Sequence, residues 1–142
     1  MARATVLCLA AFALAARAEA TVALKGFKTT YEVVSPGQGK AVSKGASITV
    51  HATGSVVESG KKFWSTKDAG QTPFEYVAGV GSVIVGWDQG CLGMQTGEVR
   101  KLSIPAEEGY GANGFPAWGI PPKATLLFEI EVLKMVGGKD EI

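Results

Sequence analysis

The sequence is poor in the residues that metal sites and acid-base catalysis need. Its 142 residues include one histidine and two cysteines, and we recognise no metal-ligand cluster, no catalytic acid-base pair and no phosphate-binding loop. The single histidine, His51, shares the polar face of a predicted strand. We interpret it as solvent-facing or locally hydrogen-bonded and assign it no catalytic role. We therefore expect no bound metal and no cofactor.

The chain also lacks an excess of charge of either sign. It carries 14 basic and 13 acidic side chains, and no run of lysine and arginine is longer than two residues. If residues 1–20 are removed as a leader, the remaining chain has no net charge. Because nucleic-acid binding needs a basic face, we do not expect nucleic acid among its partners.

No apolar segment is long enough to span a membrane. The longest run, residues 6–16, has eleven residues, whereas a transmembrane helix needs about twenty. This run follows Arg3 and precedes Ala18-Glu19-Ala20, where small residues suit a signal peptidase. We therefore interpret residues 1–20 as a secretory signal peptide and expect no membrane anchor. The alternative is an N-terminal helix kept in the fold, because Arg17 is unusual so close to a cleavage site.

The cysteines give no disulfide. Cys8 lies in the predicted leader and would be removed with it, so Cys91 would be the single cysteine of the mature chain. An intramolecular disulfide is then impossible. A lone thiol on an apolar face usually packs as a small hydrophobic group, and we interpret Cys91 as part of the core.

Residues 83–94 form the one short segment in which apolar residues recur at helical spacing. Spacings of three, four and three place four side chains on one helical face: Ile84, Trp87, Cys91 and Met94. Gly86 and Gly90 each cost a helix roughly 1 kcal/mol against alanine, so this helix must be held by what packs on it. We expect Trp87 to point into a cavity that the strands enclose. Whether protein or a ligand fills that cavity decides the function.

Strand-like sequence flanks this helix on both sides. Stretches rich in β-branched and aromatic residues, several with apolar-polar alternation and most bounded by turn residues, predict six strands, at residues 28–34, 46–53, 63–65, 74–77, 98–104 and 125–134. Four aromatic residues between positions 63 and 76 need a shared apolar surface, and plain core packing is their simplest interpretation.

Residues 105–124 are predicted to be an irregular loop, because glycine and proline recur throughout them. Loops of this length are uncommon in compact domains and tend to be functional. The segment also keeps apolar side chains that a solvated loop would not need: Tyr110, Phe115, Trp118 and Ile120. We expect it to fold over another part of the protein or over a ligand.

Three groups of residues together resemble a known family. They are Lys61-Lys62-Phe63, the run Val-Ile-Val-Gly-Trp-Asp-Gln-Gly at residues 83–90, and Tyr110-Gly111-Ala112-Asn113-Gly114 with Ile120-Pro121-Pro122. This pattern resembles the FKBP family of peptidyl-prolyl cis-trans isomerases. The resemblance implies an α+β fold, with an antiparallel β-sheet wrapped around one short α-helix. It also implies proline-containing polypeptides as partners, and macrolides such as tacrolimus or rapamycin. We expect a monomer.

The resemblance further implies a pocket. Trp87 would form its floor, Phe63, Phe74, Val83, Ile84 and Phe128 its walls, and Tyr110 and Ile120 its top, with Phe115 at the loop tip. We take Trp87, Tyr110, Phe63 and Phe128 as catalytic, and Phe74, Val83, Ile84, Phe115 and Ile120 as substrate-binding. The backbone N–H of Ile84 and the hydroxyl of Tyr110 resemble the family's donors to ligand carbonyls.

Two positions depart from the family pattern. Ala52 stands where the family has a tyrosine in a Val-His-Tyr-Thr-Gly run. Trp64 or Ser65 stands where an aspartate usually follows the phenylalanine of Lys-Lys-Phe. We expect both changes to remove polar groups from the pocket rim, which would weaken macrolide binding more than isomerisation, since catalysis in the family depends mainly on the apolar pocket.

The last residues resemble a signal that sets the cellular location of a protein. Gly137 and Gly138 would free the final four residues, and Lys-Asp-Glu-Ile resembles the Lys-Asp-Glu-Leu retention signal. Together with the leader this predicts the endoplasmic reticulum lumen, and an ordinary charged tail on a secreted protein is the alternative. We divide the chain into a signal peptide (1–20), an isomerase domain (21–136) and a flexible tail (137–142).

The prediction is therefore an enzyme that isomerises X-Pro bonds in folding secretory proteins. Two other classes stay open. One is a non-catalytic module that holds a proline peptide or a macrolide in the same pocket. The other is a chaperone-type interaction protein that uses the exposed apolar groups of the 105–124 loop. Turnover on a proline peptide distinguishes the first from an enzyme, and suppression of aggregation with a blocked pocket would identify the second.

Overall fold

The structure is a computed structural model that describes residues 21–137. The predicted signal peptide and the four residues of the predicted retention signal lie outside the described residues. The described part contains nine strands: β1 (Val22–Ala23), β2 (Thr30–Ser35), β3 (Gln38–Ala41), β4 (Ser47–Val56), β5 (Lys62–Ser65), β6 (Phe74–Val77), β7 (Gln95–Thr96), β8 (Val99–Ile104) and β9 (Leu126–Val136). One helix, α1, spans Val85–Gly90, and two 3-10 turns span Ala106–Glu108 and Pro116–Trp118. None of the helices in residues 21–137 is long and apolar enough to cross a membrane.

Seven strands form one sheet, and every pairing in it is antiparallel. The order is β1-β2-β8-β9-β4-β5, and β6 also pairs with β4. The strands β5 and β6 pair with opposite ends of β4. The strands β3 and β7 form a separate two-stranded ribbon. One short helix against an antiparallel sheet confirms the predicted α+β fold class.

The six predicted strands are confirmed, with ends shifted by three residues at most. Burial alternates strictly along β4 and β8, which is why the alternation in the sequence located them. The short strands β1, β3 and β7 were not predicted. The strand β3 is exposed throughout and shows no apolar alternation, so its sequence carries no strand signal.

The predicted helix over residues 83–94 is wrong in length. Ile84 is the N-cap of α1 and Cys91 its C-cap, and Met94 lies beyond the end although its side chain is fully buried. The helix ends early because Gly93 adopts a positive φ of 90°, a conformation that glycine takes at little cost. The core assignment of Cys91 is confirmed, since Cys91 is a buried free thiol.

The expectation of no regular element in residues 105–124 is also wrong in detail, because two 3-10 turns lie there. Each is a single turn of three residues. The second begins at Pro116, whose fixed φ suits the first position of a helical turn. Gly119 then ends it with a φ of 76°. The rest of the segment is irregular, as predicted.

The helix α1 lies almost directly on β8, and two glycines make this possible. A Cβ on Gly86 would lie 2.5 Å from Cγ2 of Ile104 and 2.6 Å from Oγ1 of Thr29. A Cβ on Gly90 would lie 2.8 Å from a methyl carbon of Leu102. The glycines weaken the isolated helix, but they permit the close packing that stabilises it in the protein.

Buried polar groups fix both ends of α1. The Asp88 carboxylate accepts hydrogen bonds from the N–H groups of Gly79 and Gly81, each at 2.8 Å. Beyond the other end, Arg100 donates to the carbonyls of Gly90 at 2.9 Å and of Leu92 at 3.2 Å.

Arg100 is itself buried and paired. Its Nε donates to the Glu98 carboxylate at 2.6 Å, and its guanidinium lies 4.0 Å from the centre of the Tyr31 ring. The positive charge is therefore neutralised and hydrogen-bonded, as a buried charge requires. The position of α1 on the sheet is set by packing and by these hydrogen bonds together.

Replacing Gly86 by alanine tests this packing. We expect Gly86→Ala to lower the free energy of unfolding by about 1–3 kcal/mol, because the new methyl group overpacks the contact with Ile104. Denaturant unfolding measures the change. The matched control is Val85→Ala on the same helix, where the side chain is 46% exposed and the expected change is within about 0.5 kcal/mol. Equal stability of Gly86→Ala and the parent would show that the helix has room to move off the sheet.

Candidate functional site

Side chains from several elements enclose an apolar cavity of about 170 Å³. The strands β5, β6 and β9, the helix α1 with the residues before it, and the 105–124 loop all contribute. The lining residues are Trp64, Phe74, Ser82, Val83, Ile84, Trp87, Tyr110, Trp118 and Phe128. None of them is an acid, a histidine, a lysine or a cysteine, so Tyr110 is the lining residue with an ionisable group.

Trp87 occupies the centre of this arrangement and is held rigidly. Its side chain is 5% exposed, and its indole N–H donates to the Tyr76 hydroxyl at 3.0 Å. The rings of Phe128 and Phe74 lie with centroids 4.9 Å and 5.7 Å from it. A buried indole whose N–H is satisfied and whose ring is packed on several sides has one stable orientation.

Six of the nine predicted site residues line the cavity: Trp87, Tyr110, Phe128, Phe74, Val83 and Ile84. The other three do not line it in the described part of the chain. Phe63 packs edge-on against Phe128 with centroids 5.7 Å apart, and Phe115 stacks on Tyr110 at 5.4 Å. Ile120 is 1% exposed and its backbone pairs with that of Phe115. Phe63 and Phe115 therefore contact lining side chains, and Ile120 is linked to them through the backbone of Phe115.

Three lining residues are not among the nine predicted site residues: Ser82 and Trp118 were not predicted at all, and Trp64 was predicted only as one of two candidates at the pocket rim. Of the two candidates for the family's aspartate position, Trp64 lines the cavity. Ser65 is buried, and its hydroxyl hydrogen-bonds that of Thr53 at 2.8 Å. The signal that could have identified Trp118 is its presence as a large apolar residue in a loop rich in glycine and proline.

Ala52 does not line this cavity, so its methyl side chain supplies no polar group to the rim. Its side chain is 1% exposed, and its N–H donates to the Thr66 hydroxyl at 3.0 Å. The same hydroxyl lies 2.8 Å from Nδ1 of His51, so His51 is locally hydrogen-bonded, as expected. The departure that shapes the cavity is therefore Trp64.

Burial keeps two ionisable groups neutral: the Tyr110 hydroxyl in the cavity lining and the Cys91 thiol on the helix side of the core. Burial raises the pKa of the Tyr110 hydroxyl above its usual value, so this group stays protonated near neutral pH and can donate a hydrogen bond. Burial likewise raises the pKa of the Cys91 thiol to about 12. A thiol of that pKa supplies almost no thiolate, which excludes Cys91 as a nucleophile.

The same part of the molecule offers no metal centre. Residues 21–137 contain no group of three or more histidine, cysteine, aspartate or glutamate side chains that could hold a metal ion. The cavity can therefore remove water from an apolar or planar group and present hydroxyl or backbone donors to it. It holds no side chain suited to covalent or acid-base catalysis at neutral pH.

The fold and the cavity define a class of domain: an antiparallel sheet packed on one short helix, with a cavity lined mainly by aromatic and aliphatic side chains. Comparison with known proteins agrees. Residues 38–133 match the family model of the FKBP-type peptidyl-prolyl cis-trans isomerase. The chain belongs to this family, and it is a peptidyl-prolyl cis-trans isomerase.

Similar proteins come from plants and bacteria. The chain is 51% identical over 106 residues to the peptidyl-prolyl cis-trans isomerase FKBP12 of Arabidopsis thaliana, covering 73% of this chain and 95% of that protein. It is 53% identical over 105 residues to an FK506-binding protein of Neisseria meningitidis serogroup B, covering 73% and 93%. The crystal structure of AtFKBP13 superposes with a TM-score of 0.73 at 36% identity, covering 82% of this chain and 99% of that one.

The neutral cavity predicts how activity depends on pH. We expect kcat/KM for a proline peptide to be flat from about pH 6 to about pH 9, because the raised pKa of Tyr110 keeps its hydroxyl protonated over that range. A protease-free spectroscopic assay at a series of pH values measures this, and Tyr110→Phe should give the same flat profile. A step in kcat/KM within this pH range would instead show that a titrating group takes part in catalysis.

Proposed function

We propose that this isomerase accelerates X-Pro rotation in newly made secretory proteins, in the lumen of the endoplasmic reticulum, and that the aromatic cavity around Trp87 is where it does so. We assign the site on the basis of this cavity. It combines aromatic walls, a rigid tryptophan and a neutral hydroxyl donor, with no charged side chain in its lining. A proline ring is an apolar group that suits such walls.

X-Pro rotation can be accelerated by such a cavity without an acid-base pair or a nucleophile. Uncatalysed X-Pro rotation takes tens of seconds over a barrier of about 20 kcal/mol, because the planar amide loses its resonance when it twists. The planar form is the more dipolar one, so water stabilises it more than the twisted form. Moving the bond into a dry cavity lowers the barrier without proton transfer. If the cavity lowers the rotational barrier by roughly 4 kcal/mol, rotation becomes about a thousandfold faster.

The positions of the side chains support the following proposed roles. Trp87 is the platform for the proline ring, and Phe74, Val83 and Phe128 are the walls around it. The Tyr110 hydroxyl and the backbone N–H of Ile84 donate to substrate carbonyls. Phe63 and Phe115 hold lining side chains in place through their contacts to Phe128 and Tyr110, and Ile120 holds Phe115 through the backbone bridge between them.

The same cavity is also proposed to bind macrolides. The Neisseria relative is named as an FK506-binding protein, and FK506 is tacrolimus. We propose that tacrolimus and rapamycin bind this chain less tightly than they bind family members with an aspartate at the position of Trp64. The polar group that the aspartate would supply is absent, and an indole occupies the rim instead.

Replacing Trp87 tests the proposed platform. We expect Trp87→Leu to lower turnover on a proline peptide at least tenfold while the domain stays folded. It also leaves the buried Tyr76 hydroxyl without its indole donor, which costs about 1–3 kcal/mol of stability, so circular dichroism must accompany the assay. Undiminished turnover in a folded variant would remove Trp87 from the site.

The comparison variant is Tyr110→Phe, which removes one hydrogen bond to a neutral carbonyl. That bond contributes roughly 0.5–1.5 kcal/mol, and the expected loss of turnover is therefore about tenfold or less. Complete inactivation by Tyr110→Phe would mean that the hydroxyl has a chemical role beyond hydrogen bonding.

The proposed address rests on the leader and on residues 139–142. The strand β9 ends at Val136, and Gly137 leaves the extended conformation with a φ of 78°. We propose that the residues after Gly137 are recognised by a retrieval receptor. Without that tail, a soluble domain with a cleaved leader would be exported.

Deleting the last four residues tests the proposed retention in the endoplasmic reticulum. We expect the truncated protein to appear in the medium of secreting eukaryotic cells, whereas the full-length protein stays in the cells, and both should have equal isomerase activity. The matched control is Ile142→Leu, which restores the Lys-Asp-Glu-Leu sequence and should be retained at least as well as the parent. Equal retention of the truncated and full-length proteins would show that the tail carries no signal.

A further inference from the structure

Trp64 and Trp118 form an aromatic stack at the cavity, although they belong to different elements. Their ring centroids lie 6.1 Å apart and their planes are inclined by 22°. Trp64 comes from β5, and Trp118 from the 3-10 turn in the 105–124 loop. Both rings line the cavity, so the stack joins the loop to the sheet at the site itself.

Trp64 also reaches the centre of the cavity. Its ring lies 6.1 Å from that of Trp87 and 6.3 Å from that of Phe74. It therefore fills space directly beside the proposed platform for the proline ring. An aspartate, the residue usual at this position in the family, is much smaller and would leave that space open.

Trp118 is held from its other side by further rings. Phe115 meets it edge-on with centroids 5.3 Å apart, and Phe115 in turn stacks on Tyr110. The backbone N–H of Phe115 donates to the Ile120 carbonyl at 2.8 Å, and that of Ile120 donates back at 3.2 Å. Trp118 is 46% exposed, yet these contacts fix where its ring lies.

The cavity between these rings is small. Its volume is about 170 Å³, whereas sites for drug-sized ligands usually measure about 300–1,000 Å³. We propose that the Trp64–Trp118 stack is a size filter, which leaves room for a proline ring in a narrow peptide and opposes broad ring ligands such as tacrolimus. A broad ligand would enter fully only after the stack opens. This inference rests on the proposed function, because it assumes that peptide and macrolide share the cavity.

The effect of the stack on the Kd of a broad ligand can be measured. If the aromatic pair must open before a ligand binds, the apparent affinity equals the intrinsic affinity multiplied by the fraction of molecules whose stack is open. For one pair of rings this corresponds to between about twofold and tenfold. Removing either ring should therefore recover that factor for a broad ligand and should give a narrow peptide no such gain.

The experiment compares two ligands across four proteins. Calorimetry measures the Kd of tacrolimus and of a short peptide with one proline, for the parent, Trp64→Ala, Trp118→Ala and the double variant. We expect each single variant to bind tacrolimus about twofold to tenfold more tightly than the parent does, with no gain for the peptide. The double variant should bind tacrolimus no more tightly than the better single variant, since either removal opens the stack. Val80→Ala is the control, because Val80 is an exposed apolar residue outside the cavity lining.

Unchanged or weaker tacrolimus binding in both single variants would overturn the filter, as would an absence of tacrolimus binding in all four proteins. Trp64 packs against Trp87, so Trp64→Ala could fail to fold; Trp118→Ala, at a half-exposed loop position, then decides the question. Peptide turnover by the parent is measured separately. Its absence would refute the proposed function, whereas equal tacrolimus affinities in an active parent and its variants would refute the filter alone.

Discussion

The close contact between α1 and β8 is the constraint on which the rest of the structure depends. Two glycines one helical turn apart bring the helix backbone onto the side chains of Leu102 and Ile104. Trp87 lies between those glycines in sequence, so its position above the sheet is fixed by that contact. The rings of Phe74, Tyr76 and Phe128 then pack around Trp87. A dense interior transmits the position of one backbone segment to every side chain that touches it.

The sequence alone predicted much of the fold, because strand alternation is a local property. The alternation along β4, β8 and β9 is visible in a few neighbouring residues, and the sheet follows from it. The apolar spacing predicted that α1 continues to Met94, but Gly93 turns the chain with a positive φ, and Arg100 of β8 binds the carbonyls of Gly90 and Leu92. No helical periodicity contains that information. The resemblance to a family, more than periodicity, supplied six of the residues that line the cavity.

The parts of the site that escaped prediction depend on contacts between distant segments. Trp64 and Trp118 stand in unrelated stretches of sequence, and only the folded chain brings their rings together. Phe63, Phe115 and Ile120 were expected in the pocket and are not among the residues that line it. Gly54 shows why this is a matter of packing, since a Cβ there would lie 2.6 Å from both Phe63 and Phe128. Which aromatic ring faces a cavity is decided by such clearances, and residue type does not reveal them.

The place of β9 in the sheet has a consequence for how the chain acquires its structure. This strand follows all the others in sequence, yet it lies between β8 and β4 and pairs with both. Until Leu126 to Val136 has been synthesised, β4 and β8 each present an unpaired edge, and such edges invite pairing with other chains. Pairing between distant segments also makes folding slow. A sheet that stays divided until its central strand is added exposes these edges for longer than a sheet whose neighbouring strands also follow one another in sequence.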